Sequence, residues 1–334
     1  MSDYNTRSEL LFLYDVKDAN PNGDPLDENK PRIDEASGRN FVTDVRLKRT
    51  IRDFLYKHKG REIFVRRIEK ADGNIQDAKE RAQDFETKAE RIIGECIDIR
   101  LFGGTIPTEV EKVDKNGKVK MKGGKPQTET GSITLTGPVQ FKIGRSLHPV
   151  ELRFIRGTGA FASGSTSKQR TFRDEYILPY SLVAFHGIVN QVSGRFSDYY
   201  KKVADNLKKE DIDLLLEGIW HGTGNLISRS KMGQLPRLLL KLDYKDEHLF
   251  IGDLDHLVEL DAGEKPPVEV RSPEDYTVKL DRLVELVQGR FGSKIDKLRY
   301  AHDDRVILTL NGEPTTIPEA FSDLNVEPLP FHPA

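Results

Sequence analysis

Cysteine is nearly absent: Cys96 stands alone in 334 residues, so no internal disulfide and no cysteine-based zinc site can form. Long apolar runs are missing as well. None approaches the roughly 20 residues a membrane-spanning helix requires, and the opening MSDYNTRSE has no apolar segment of the secretory kind. These absences predict a soluble, cytoplasmic protein with no membrane partner. The chain also lacks an excess of either charge. A net charge of −2 argues, taken alone, against a nucleic-acid binder.

Catalytic and cofactor motifs fail one by one. Gly157-Thr-Gly-Ala-Phe-Ala162 fits a dinucleotide pattern, but Ser, Gly and Thr follow it where a helix N-terminus must face the pyrophosphate. Gly159…Gly164 has no Lys after it, so ATP use is unsupported. Asp18 to Gly23 resembles half a calcium loop, yet Asn29 stands where a bidentate Glu is needed. Asp15, Asp18, Asp24 and Asp27 are neighbours in sequence only, and acids in such loops usually make Asx-turns. None of the eight His is spaced as a ligand pair; His186 reads as a core histidine, and His221 is open. No catalytic set, metal or cofactor is expected.

What is present is unevenly placed charge. Six basic residues lie between Arg145 and Arg173 against Glu151 alone, while Asp246–Glu264 holds seven acids and no Lys or Arg. A balanced total can therefore hide a cationic groove. The acidic stretch reads as solvated surface or, less favoured, as a face for a neighbour's basic edge.

The organising stretch is residues 9–56. Leu10–Val16 has the length of a buried strand, and DANPNGDPLDENKP then excludes regular structure. Thr43 and Asp44 start a helix to about Lys57. Its Leu47, Ile51, Phe54 and Leu55 form one stripe, with Lys48, Arg49 and Arg52 pointing away. Beyond it, 61–69 reads as a strand, 76–96 as a charged helix and Asn116–Gly117 as a hairpin turn; 60–130 is polar and insertion-like. Strands are expected at 132–143, 151–156, 172–189 and 235–244, with a Gly/Ser-rich mobile excursion at 157–170. Asp211–Trp220 reads as an apolar helix followed by a turn-rich HGTGN. Late in the chain, 278–290 reads as helix, 295–300 and 305–310 as strands, and the Pro-rich tail as poorly ordered. With both insertions set aside, the order is strand, helix, strand, strand, helix, strand. That is the α+β, ferredoxin-like arrangement also used by RNA-recognition modules.

Phosphate backbones call for Lys, Arg, hydroxyls and free N–H groups. Four places supply them: Lys48, Arg49 and Arg52; Arg145 and Ser146; Ser163, Ser165, Ser167, Lys168 and Arg170; and Ser228, Arg229 and Lys231. Each alone reads as solvated surface. Four within one small sheet domain point to RNA.

NPNGDP leading to TDVRLKRTIRD, with DIRLFGGT (98–105), TGPVQFKIGRSLHP (136–149), LPYSLVAFHG (178–187) and SRSKMGQLPRLLL (228–240), resembles the CRISPR-associated backbone subunits of Cascade-type effector complexes. These belong to the superfamily of repeat-associated RNA-binding proteins, and the type I-B branch is the most similar. The resemblance implies a ferredoxin-like palm (1–59, 131–149, 178–245, extended by 246–334), a finger at 60–130 and a flexible thumb at 150–177. It implies RNA contacts at Arg46, Lys48, Arg49 and Arg52 on the helix, at Phe102, Gly103 and Gly104, and at the loop residues Asn20, Asn22 and Gly23. Phe161 or Phe172 is the candidate to wedge beside a displaced base, since this thumb has no clear aliphatic or Met wedge. The implied function is a non-catalytic scaffold in antiviral defence that binds a guide RNA, lines up with copies of itself and other subunits, and leaves bases open for target DNA. The rivals are an RNA endonuclease, with Asp174 the only acid near the middle of the thumb, and a general single-strand RNA chaperone.

Overall fold

The computed structural model describes residues 4–112, 114, 118–162, 170–191, 193 and 207–331. The chain divides into two compact units. The larger (Thr6–Thr50, Phe141–Val189, Ile219–Ala334) is organised on β1 (Ser8–Ala19), which is buried along its length except at Lys17 and Asp18. A strand covered on both faces needs no alternation, which is why its sequence is a continuous apolar run. Around it lie β2 (Ile33–Asp34), β3 (Arg39–Val42), β6 (Gly144–Ser146), β7 (Arg153–Ala162), β8 (Arg170–Val189), β9 (Gln234–Tyr244), β10 (Ile295–His302) and β11 (Val326–Pro328). The hydrogen-bonded order is β11-β10-β9-β1-β8-β6-β3-β2, and β7 pairs with the first part of β8 as a two-stranded ribbon. β1 runs antiparallel to both β8 and β9.

The two faces of β1 carry different chemistry. Leu11 and Leu13 join Leu182, Ala184, Leu238 and Leu240 in the main core. On the other face Phe12 stacks on Tyr14 at 5.5 Å and Tyr14 on Phe185 at 6.2 Å. Glu9, fully buried, accepts hydrogen bonds from His186 Nε2 (2.7 Å), Tyr244 Oη (2.5 Å) and the backbone N–H groups of Ile251 and Gly252. His186 is thus a core histidine, as expected.

The smaller unit (Met1–Asn5, Ile51–Gln140, Asn190–Gly218) contains α2 (Ala78–Gln83), α3 (Ala89–Glu95), α4 (Ile97–Phe102) and the antiparallel pair β4 (Gly103–Glu111) and β5 (Thr128–Thr136). Despite its polarity this span builds its own core from Phe64, Phe85, Ile92, Cys96, Ile99, Ile106 and Leu135. Arg100 donates two hydrogen bonds to buried Asp211. Two helices continue from one unit into the other. They are α1 (Asp44–Lys59) and α5 (Lys209–Gly224).

Several expectations are corrected. The loop after β1 holds one short hairpin, Gly23–Asp24 paired with Lys30–Pro31. Residues 61–69 form no strand, only the isolated bridge Glu69–Ile75. The helix expected over 76–96 is broken at Glu86 and Thr87, both at positive φ, into α2 and α3. The turn at 116–117 lies outside the described residues. Strand pairing reaches into the Gly-rich excursion, with Gly157 opposite Arg173 and Ala162 opposite Arg170. HGTG is helical, as the end of α5. The helix expected over 278–290 is present from Asp281 onward, as a short α-helix (Asp281–Val284) running into a π-helix (Glu285–Arg290), but its start is taken by a strand (Thr277–Lys279). The Pro-rich tail is ordered through β11, parallel to β10. No helix among the described residues is long and apolar enough to cross a membrane.

Candidate nucleic-acid interface

The loop after β1 is seated on the first turn of α1. Asn22 Oδ1 accepts from both the backbone N–H and the hydroxyl of Thr43 at 2.9 Å, and the Thr43 hydroxyl accepts from Arg46 N–H at 3.3 Å as a helix cap. Gly23 is required by closeness: a Cβ there would lie 2.1 Å from Asn29 Oδ1 and 2.6 Å from the Asn29 carbonyl. Asn20 is buried, donates to the Asn29 carbonyl at 2.7 Å, and takes its backbone partner from Ser230.

That last bond brings the Ser228–Lys231 turn beside the loop. Lys231 Nζ donates to the Asn20 carbonyl, and among the described residues no carboxylate pairs with it. Burial, helped by the nearby positive charge of Arg46, pushes its pKa down to about 8. Arg46 itself donates to Thr50 Oγ1 at 3.0 Å. Two cations from residues 185 apart in sequence thus lie close enough for Arg46 to disfavour the charge on Lys231.

The other candidates divide. Arg49 is exposed, but Lys48 is only 9% exposed and pairs with Asp44 at 3.1 Å, so it is not on the solvated face. Arg145 is exposed and lies 5.9 Å over the Phe41 ring. Register places it with Ala184 and Leu13, whereas Arg46 lines a small cavity with Tyr14 and Val42 on the opposite sheet face. Ser146 is buried, accepting from Asn40 N–H and donating to the His148 carbonyl. Ser228 and Arg229 are exposed. Phe161 and Arg170 belong to the ribbon strands, while Ser163, Ser165, Ser167 and Lys168 lie outside the described residues.

In the smaller unit, Arg52 Nε donates at 2.9 Å to fully buried Asp98, which also accepts from Phe64 and Val65 N–H, and its guanidinium lies 5.1 Å over the Phe102 ring. Gly103 and Gly104 begin β4. Arg52→Ala is therefore expected to cost about 3 kcal/mol of folding stability by stranding Asp98, read by urea denaturation. An unchanged midpoint with lost RNA binding would show that Arg52 serves RNA instead.

Sequence reasoning missed the root of the ribbon. Tyr176 donates to Glu28 at 2.8 Å across 148 residues and packs 5.2 Å from Phe154, with Lys30 5.2 Å over its ring. No local pattern marks such a meeting. In the acidic stretch, Asp253 and Asp255 are answered by Lys142, Glu259 by Arg282 and Asp261 by Lys279.

Comparison with known proteins bears on this arrangement. The family model for CRISPR-associated protein Cas7 matches residues 6–281. A Haloferax volcanii protein described as CRISPR-associated protein Cas7 is 31% identical over 336 residues, covering 96% of this chain and 93% of its own. Among solved structures, a chain of a CRISPR RNA-guided surveillance complex aligns with TM-score 0.52 at 10% identity, covering 96% of this chain and 94% of that one. A chain of a pre-nicking form of such a complex aligns at 0.52 and 11%, covering 97% and 96%. The structural likeness speaks for the mixed α/β fold with its large sheet. The family match, spanning most of the chain, settles its membership: this protein belongs to the CRISPR-associated protein Cas7 family.

Proposed function

We propose that this chain is a non-catalytic guide-RNA-binding backbone subunit of a type I CRISPR surveillance complex. It polymerises along the guide with copies of itself and other subunits, and presents bases to target DNA. The observation that carries this reading is the convergence, beside the NPNG loop, of Arg46 and Lys231, the latter with no carboxylate partner among the described residues. A ferredoxin-like palm is supported by the order β9-β1-β8-β6, with α1 following β1 and α5 joining β8 to β9. Residues 60–130 then serve as a finger and 150–177, the β7–β8 ribbon, as a thumb. The names of the similar solved structures, RNA-guided surveillance complexes, point the same way.

In this scheme Arg46, Arg49, Lys231, Ser228 and Arg229 face phosphates, joined by Ser163, Ser165, Ser167, Lys168 and Arg170 on the thumb, while Arg145, on the opposite sheet face, stands apart from them. Asn20, Asn22, Gly23, Lys48, Arg52, Ser146 and Phe102–Gly104 shape the backbone that presents them. Phe161 or Phe172 is the candidate wedge. The endonuclease rival leans on Asp174, whose carboxylate is already engaged by Arg156 at 2.9 and 3.3 Å.

Purified protein is expected to bind single-stranded RNA of unrelated sequences, with affinity falling steeply as salt rises, by about 0.7 log unit of slope per phosphate contact. Lys231→Gln should weaken binding about tenfold, the worth of one charge-assisted hydrogen bond, and flatten that slope by one contact. Binding needs charged Lys231, which in the free protein loses its proton near pH 8. Affinity should therefore fall as pH rises above 8, levelling off after a total loss of about tenfold, and Lys231→Gln should abolish the fall. Salt-insensitive binding would overturn the reading, and RNA cleavage abolished by Asp174→Asn would favour the endonuclease.

A further inference from the structure

Consecutive residues of one strand tie the ribbon root to two different loops. Register sets Phe154 opposite Tyr176 and Ile155 opposite Glu175, and alternation along a strand sends Glu175 and Tyr176 to opposite faces. On one face Tyr176 is held by Glu28 and Lys30 of the loop after β1. On the other, Arg229 Nη2 donates to Glu175 Oε2 at 3.1 Å. The partners are unequally placed: the Glu175 side chain is 16% exposed and that of Arg229 is 59% exposed. The acid is enclosed, and its arginine stays open to a competitor from solution.

Arg229 sits in the turn that carries Lys231, within the cationic group just proposed for RNA. A carboxylate and a phosphate offer a guanidinium the same kind of charged oxygen acceptors. The contact is also an ion pair near the surface, a class too weak to lock a strand in place. Asp174, the neighbouring acid, cannot take over, because Arg156 already engages both its oxygens.

We propose that Glu175 holds Arg229 in the free chain as an internal substitute for a phosphate, and that bound RNA takes Arg229 from it, releasing one tie at the ribbon root. RNA binding is thereby coupled to the pose of the ribbon, which keeps its Tyr176–Glu28 tie as a pivot. The inference rests on the RNA-binding reading above.

A double-mutant cycle on the full chain tests it, with a labelled single-stranded RNA as probe. Glu175→Gln is expected to raise affinity about two- to fivefold, the range an exposed ion pair supports, and the gain should vanish in an Arg229→Gln background. Glu28→Gln removes an equal charge from the ribbon root without touching Arg229, and should reproduce none of this coupling. In the RNA-free protein, Glu175→Gln should also speed proteolytic cleavage within the ribbon. An equal gain with and without Arg229 would reduce the effect to loss of a negative charge and overturn the latch. So would unchanged affinity or unchanged cleavage. Wild-type protein that binds no RNA would overturn the function instead, and the cleavage rates would still decide the latch.

Discussion

Arg237→Ala should lower the folding free energy by about 3–5 kcal/mol, the usual cost of stranding one side of a buried ion pair. Arg237 is 4% exposed. Its Nε and Nη2 donate to Asp15 Oδ2 at 2.8 and 2.5 Å, and its Nη1 donates to Asp303 at 2.8 Å. Tyr180 adds a hydrogen bond to Asp15 at 2.9 Å and meets Tyr276 at 2.8 Å. Burial works against the charge on Arg237, but Asp15 and Asp303 more than offset it and hold its pKa above the ordinary value. Burial pushes the Asp15 carboxyl above its usual range even with Arg237 present. Without the arginine, buried Asp15 loses its cation and keeps the Tyr180 hydroxyl, while Asp303 retains Arg305. Urea denaturation of the variant measures the loss. A wild-type midpoint would show that the network carries no weight. Combining Arg237→Met with Asp15→Asn and Asp303→Asn should recover part of it, because replacing the whole network strands no charge.

Gly103→Ala is expected to cost about 3 kcal/mol or more, while Gly104→Ala costs far less. Gly103 has φ +71° and ψ −166°, a region open almost only to glycine. A Cβ there would stand 2.1 Å from the Leu135 carbonyl oxygen and 2.4 Å from Gly137 N. A Cβ on Gly137 would in turn lie 2.3 Å from Gly103 N. Neither backbone can yield without opening the β4–β5 pair. At Gly104 the nearest atom is the Ile99 Cδ1 methyl at 3.1 Å, which can turn aside. Thermal unfolding of the two variants separates the cases. Equal shifts would mean that the Phe-Gly-Gly motif is kept for something other than this crossing. The same contact explains why Phe102-Gly103 and Gly137-Pro138, far apart in sequence, each carry glycine.

Much of the frame was legible because it is local. The apolar run of β1, the Thr43 cap and the buried stripe of α1 (Leu47, Ile51, Phe54, Leu55) follow from nearest-neighbour chemistry and helical period. Reading failed where distant packing overrode local preference. HGTG reads as a turn, yet it closes α5, with Thr223 Oγ1 donating back to the Ile219 carbonyl at 2.8 Å and its side chain buried. The Pro-rich tail lacks local order, yet Val326–Pro328 gains a parallel partner in β10. Polar 60–130 looked coreless because its apolar residues are sparse, but short helices and a strand pair gather them.

For the site, residue types marked where cations occur along the chain, and the ordered motifs pointed to the family. Charge state and direction were decided only in three dimensions. Arg52 and Lys48 look like the solvated face of α1 in sequence, but Asp98 and Asp44 claim them. Lys231 looks ordinary, but burial and the nearness of Arg46 disfavour its charge, and among the described residues no carboxylate pairs with it. Sequence alone thus determined which groups this chain owns and the local elements that carry them. Which of those groups are neutralised within the chain was decided by tertiary structure, because ion pairing depends on distance in space, and residues such as Asn20 and Lys231, 211 apart along the chain, become neighbours only when it folds.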